Sequence, residues 1–139
     1  MFMLDTDICI YIIKRKPGSV LKYFQRLQPG EISISAITFA ELMNGAKKSH
    51  RVEDNIAILI ELAELLEIKP FDQKAAIAYG DVRSSLEKKG NIIGSYDLLI
   101  AAHALSLDCI LVTNNEKEFS RVDGLKIENW VNQETAVTS

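Results

Sequence analysis

Apolar residues switch between runs, alternation and helical spacing along this chain, and the switches mark its elements. Phe2-Met3-Leu4 is a short apolar run that stops at Asp5, as a buried strand does. Residues 8–13 begin a helix that Lys16-Pro17-Gly18 closes, and 20–27 are spaced as a second helix ending at Pro29-Gly30. Ile32-Ser33-Ile34-Ser35 alternates and reads as a strand. Helical spacing returns over 37–46 and strongly over 52–66. Ile68 opens a brief third strand that Pro70 cuts. A helix over 75–88 ends at Gly90, and another runs from Gly94 to about Leu107. Residues 109–113 are apolar without alternation, as in a strand covered on both faces. Leu125-Lys126-Ile127 fits a fifth strand at the edge.

Short strands separated by helices imply parallel pairing through helical crossovers. The expected fold class is α/β: a three-layer α/β/α sandwich around a central parallel sheet of four or five strands. One domain over residues 1–131 and a polar tail over 132–139 account for the 139 residues. In such sheets ligands bind beyond the carboxyl ends of the strands.

Composition narrows the class. At 47% hydrophobic and 25% charged the chain is not disordered, and no run reaches the length of a membrane span. The N-terminus lacks a signal-peptide pattern, and Cys9 and Cys109 read as free buried thiols, so a cytoplasmic location is expected. The net charge of −3 argues against holding nucleic acid by bulk attraction, but it does not exclude an enzyme acting on it.

Acids recur where strands stop. Asp5 and Asp7 follow the first strand, and Glu41 lies in the helix after the second. Asp97 opens the helix before the 109–113 strand, and Glu116 and Glu118 follow that strand. Each has an ordinary explanation. Asp5 can cap its helix, Thr38 and Glu41 fit a capping box, and Asp97 suits a helix N-terminus. Together they change the picture. Carboxylates within about 4 Å of one another repel by roughly 4 kcal/mol per pair at an effective dielectric near 20. Hard divalent cations relieve such repulsion through oxygen ligands, whereas the lack of a His/Cys cluster argues against zinc. A carboxylate-only metal site points to phosphoryl chemistry, in which metal-activated water attacks phosphorus.

Met3-Leu4-Asp5-Thr6-Asp7-Ile8, Ser35-Ala36-Ile37-Thr38-Phe39-Ala40-Glu41-Leu42, Ile93-Gly94-Ser95-Tyr96-Asp97 and the segment from Leu111 through Thr113-Asn114-Asn115-Glu116-Lys117-Glu118-Phe119 together resemble a PIN-domain nuclease. More narrowly, they resemble the VapC-type toxins of bacterial toxin–antitoxin pairs. The resemblance implies an Mg²⁺- or Mn²⁺-dependent endoribonuclease acting on structured RNA, with the anticodon loop of initiator tRNA as the leading candidate. It also implies a homodimer and a hetero-oligomer with a cognate antitoxin, with operator DNA reached only through that antitoxin. Asp5, Glu41 and Asp97 fall on the family's core acids. Asn115 stands where many relatives carry the fourth acid, and Glu118 takes that role in relatives with longer spacing. Asp5 and Asp97 are the expected direct ligands, with Asp7, Thr113 and Asn115 in support.

Other features carry milder expectations. Lys14-Arg15-Lys16 and Lys47-Lys48 with Arg51 are candidate phosphate contacts, with Lys14, Arg15, Lys47 and Lys48 the first to test, although cations also suit helix ends. The helix over 56–66 is apolar beyond one stripe and can meet a partner. His103 is expected to be packed or half-exposed rather than catalytic. Tyr96 is expected to pack rather than stack a base, and Trp130 to cover the sheet edge. Two other readings remain at this stage: a phosphatase with Asp5 as nucleophile in Asp5-Thr6-Asp7, and a non-catalytic PIN-like binding module.

Overall fold

The computed structural model describes residues 1–131, so the expected tail over 132–139 lies outside the described residues. Its strands are β1 (Phe2–Leu4), β2 (Ile32–Ser35), β3 (Glu67–Lys69), β4 (Ile110–Val112) and β5 (Ile127–Glu128). Its helices are α1 (Thr6–Lys14), α2 (Gly18–Arg26), α3 (Ala36–Lys47), α4 (Val52–Glu64), α5 (Gln73–Lys88), α6 (Ser95–Ser106) and α7 (Glu116–Phe119).

The five strands form one sheet in the order β3-β2-β1-β4-β5, and every pairing is parallel. The chain enters at the centre, steps outward through β2 and β3, then crosses back to lay β4 and β5 on the other side. The strand order therefore reverses at β1, and reversal of this kind opens a crevice at the carboxyl ends of the central strands.

Pleat alternation splits the core between two layers. Leu4, Ile34 and Val112 pack with Ile8, Ile12, Leu42, Leu59 and Leu62 on the side of α1 to α4. Met3 and Leu111 pack with Leu86, Ile100 and Phe119 on the side of α5 to α7. The expected three layers are present.

Local packing adds detail. Although β2 alternates apolar and polar residues, all four of them are buried. The serines sit under α6 with their hydroxyls satisfied: Ser33 Oγ donates to the Phe2 carbonyl at 3.0 Å, and Ser35 Oγ pairs with His103 Nδ1 at 2.8 Å. His103 is thus buried, the packed one of the two expected placements, with Phe71 edge-on to its ring at 5.3 Å. Trp130 does more than cover an edge. It is buried, stacks on Tyr23 with centroids 5.1 Å apart, and meets Phe2 edge-on at 5.7 Å. The helix over 56–66 behaves as expected, burying Leu59 and Leu62 while Ile58 and Ile60 stay exposed.

Candidate functional site

The reversal at β1 places Asp5, the first residue past that strand, at the mouth of the crevice. Its N–H donates to the Val112 carbonyl at 3.0 Å, which adds a rung to the β1–β4 pairing and fixes the backbone. Its Oδ1 accepts the Ile8 N–H at 3.0 Å, so Asp5 is the N-cap of α1. Capping alone does not explain a carboxylate that is 5% exposed. The buried Thr113 hydroxyl also donates to Asp5, while its oxygen accepts the Asn115 N–H at 2.9 Å. Burial pushes the Asp5 carboxyl up to about 6 against these hydrogen bonds, and the charges of Asp7 and Glu41 add to the rise.

Asp97 lies in the first turn of α6, half-buried. Burial, then Glu118, then Asp5 and Glu41 push its carboxyl up to about 7. Glu118, hydrogen-bonded to Asp97, moves the opposite way. The Gly94 N–H donates to Glu118 Oε1 at 2.6 Å and Asn115 Nδ2 donates to Oε2 at 2.8 Å. Asp97 and the charge of Arg121 add to these in holding Glu118 below the usual carboxylate range. Asp97 and Glu118 share a hydrogen bond and titrate as a pair rather than as separate groups.

Glu41 is not in a capping box. Ser35 is the N-cap of α3, accepting the Ile37 N–H, and the Thr38 hydroxyl is buried without a partner. Thr6 Oγ1 instead donates to Glu41 Oε1 at 2.8 Å, so α1 holds the acid that α3 carries.

The structure thus brings Asp5, Asp97, Glu118, Thr113 and Asn115 into one network, with Glu41 coupled to it through charge. Asp7 is exposed on the first turn of α1 and acts on Asp5 through charge. Of the four candidate phosphate contacts, Lys14 lines a cleft of about 470 Å³ together with Thr6 and Glu41. Arg15, Lys47 and Lys48 are exposed at the ends of α1 and α3 and do not line it. Sequence reasoning missed Thr6, Gly94 and Arg121. Two of these had a signal, since Thr6 lies between Asp5 and Asp7, and Gly94 precedes the turn that bears Asp97.

Thr113→Val removes a donor to Asp5 and strands the Asn115 N–H. A loss of about 1–3 kcal/mol in unfolding free energy is expected, read by urea denaturation. An unchanged midpoint would show that Thr113 does not brace Asp5.

The donor set suits a hard cation. Among the described residues no three His, Cys, Asp or Glu side chains are gathered closely enough to enclose an ion between them. Oxygen donors fit an ion such as Mg²⁺, which takes one or two carboxylates and completes its shell with water and phosphate oxygens. The two carboxyls with raised pKa values, Asp5 and Asp97, are the ones that gain most from a positive charge beside them.

A parallel sheet reversed at its first strand, with acids along its carboxyl edge, defines the class. The sequence model of the PIN domain matches residues 2–125, and the chain belongs to the PIN-domain family. Within that family its similar proteins are VapC ribonucleases. It is 43% identical to the tRNA(fMet)-specific endonuclease VapC of Shigella flexneri, over 93% of this chain and 97% of that protein. It is 45% identical to ribonuclease VapC2 of Haemophilus influenzae, over 94% and 98%. Its fold matches the crystal structure of VapBC2 from Rickettsia felis bound to a promoter DNA fragment, with a TM-score of 0.87 and 44% identity over 93% and 98% of the two chains.

Proposed function

We propose that this protein is the ribonuclease toxin of a toxin–antitoxin pair, a metal-dependent endoribonuclease that cuts initiator tRNA in its anticodon loop. The observation that carries this reading is the group of mutually perturbed carboxylates, Asp5, Asp97 and Glu118 with Glu41 beside them, at the crevice where the sheet order reverses. Capping and hydrogen bonds account for single members of the group, whereas a cation beside them relieves the repulsion of all. The names of the similar proteins give the substrate class, and that of Shigella flexneri gives the tRNA.

In this reading Asp5 and Asp97 ligate Mg²⁺ or Mn²⁺, and Glu41 and Glu118 hold water and orient the scissile phosphate. When bound, the ion supplies a Lewis acid that makes water more acidic and offsets the charge on phosphate. Thr113 and Asn115 fix Asp5 and Glu118, and Thr6 fixes Glu41. Asn115 thereby supports the fourth acid rather than replacing it. Against the aspartyl-phosphatase alternative, Cys9 stands where such enzymes carry a threonine after the two aspartates. The chain acts in the cytoplasm, as a homodimer and in a hetero-oligomer with its antitoxin. Among the described residues no helix is long and apolar enough to cross a membrane. The structure of VapBC2 from Rickettsia felis on promoter DNA supports a DNA-binding antitoxin partner here.

The test is incubation of the purified protein with total RNA and with initiator tRNA, followed by mapping of the new ends. Cuts confined to the anticodon loop of initiator tRNA are expected. Intact RNA with Mg²⁺ and Mn²⁺ present would leave the binding-module reading in place.

A further inference from the structure

Tyr96 stands apart from every other aromatic ring near the site. It occupies the second position of α6, directly before Asp97, and is 55% exposed. Sequence reasoning expects this ring to pack, and it does not. Among the described residues it makes no hydrogen bond or ring contact. Ile92, in the segment that leads into α6, is 47% exposed. The Ile92 carbonyl accepts from Arg121 Nη1 at 3.0 Å, so the same arginine that acts on Glu118 also anchors this approach to α6. The exposed ring is therefore carried on a fixed segment whose next glycine, Gly94, binds Glu118 through its N–H.

The charge balance sharpens what this ring is for. The chain is net negative, the crevice is lined with acids, and only Lys14 of the candidate cations reaches the adjoining cleft. With one candidate cation at the cleft, phosphate contacts alone would hold RNA weakly. Stacking on an aromatic ring is insensitive to charge and works with a single-stranded base, which an RNA loop displays.

We propose that Tyr96 is a specificity-determining residue that stacks on a base next to the cleaved phosphate. The proposal rests on the ribonuclease reading above. Its test uses Tyr96→Ala and Tyr96→Phe on a synthetic anticodon stem-loop of initiator tRNA, with each loop nucleotide in turn made abasic. For Tyr96→Ala, KM is expected to rise about tenfold or more while kcat stays within about twofold. The salt dependence of KM should not change, and Tyr96→Phe, which keeps the ring, should restore the wild-type KM. One abasic position should penalise the wild type and no longer penalise Tyr96→Ala. Wild-type cleavage with an unchanged KM in Tyr96→Ala, or a penalty of equal size at every abasic position in both proteins, overturns the stacking role alone. A Tyr96→Ala variant that cuts normally but releases a bound protein partner overturns it in favour of a protein contact. Wild-type protein that leaves the stem-loop whole overturns the ribonuclease reading as well.

Discussion

Asp5→Asn and Asp97→Asn will each lower RNA cleavage by about a thousandfold, a loss of roughly 4 kcal/mol in transition-state stabilisation, while making the metal-free protein more stable near pH 8. The two effects have one cause. Both carboxyls titrate above the ordinary aspartate value of 3.8 in the folded chain, Asp5 near 6 and Asp97 near 7, chiefly because burial penalises their charge. A carboxyl raised in this way contributes stability below its unfolded pKa and loses it as pH rises through the folded pKa. At pH 8 both therefore sit ionised at a cost to the fold. For Asp5, about two pKa units correspond to at most about 3 kcal/mol. Asp97 is more open to water, so its cost is smaller.

Asparagine removes the charge and keeps the shape, and its carbonyl can still accept the Ile8 N–H as a cap. The metal-free Tm should rise by several degrees for Asp5→Asn, measured by differential scanning calorimetry at pH 8. A Tm that falls along with the activity would mean that the substitution simply breaks α1, and that Asp5 is a structural cap. Stability held in reserve at an active site is a common trade-off, and here it is assigned to named oxygens.

Why some of this was legible in the sequence and some was not follows from range. The strand at 109–113 and the helix breaks at Pro17-Gly18, Pro29-Gly30 and Gly90 announce themselves locally, and they sufficed for the layers and the parallel sheet. The four-residue helix α7 is a single turn and leaves no period to read, although it carries Glu118. Thr38 and Glu41 have the spacing of a capping box, but the true cap is Ser35, and Glu41 bonds to Thr6, 35 residues away. Tertiary partners at that distance leave no trace in spacing. The burial of the β2 serines is set at the same range. Alternation marks which residues share a face, and only the placement of α6 with His103 decides that the polar face is buried. Among the acids, position at strand ends was visible from the start, whereas the division of labour between Asn115 and Glu118 needed their 2.8 Å hydrogen bond and the Gly94 N–H.

Removing divalent ions with a chelator will abolish cleavage, and at fixed, subsaturating Mg²⁺ the rate will fall about tenfold per pH unit between the two carboxyl pKa values and more steeply below both. Carboxyls must lose their protons before they ligate, so protons and cations compete for the same oxygens. In the metal-free protein that competition is centred near pH 7 for Asp97, whose proton is shared with Glu118, and near pH 6 for Asp5. Raising Mg²⁺ tenfold should therefore shift the acid inflection to lower pH. A profile whose inflection ignores the Mg²⁺ concentration would assign the titrating group to something other than a ligand. The direction also separates the acids from His103, a buried titratable group that bonds Ser35 at the end of β2. Burial lowers the His103 pKa, the opposite direction to the burial-driven rise of the carboxyls. In His103→Gln an inflection at the same pH, with the same response to Mg²⁺, would leave the carboxylates as the titrating groups. An inflection lost with the imidazole would move the competition away from Asp5 and Asp97.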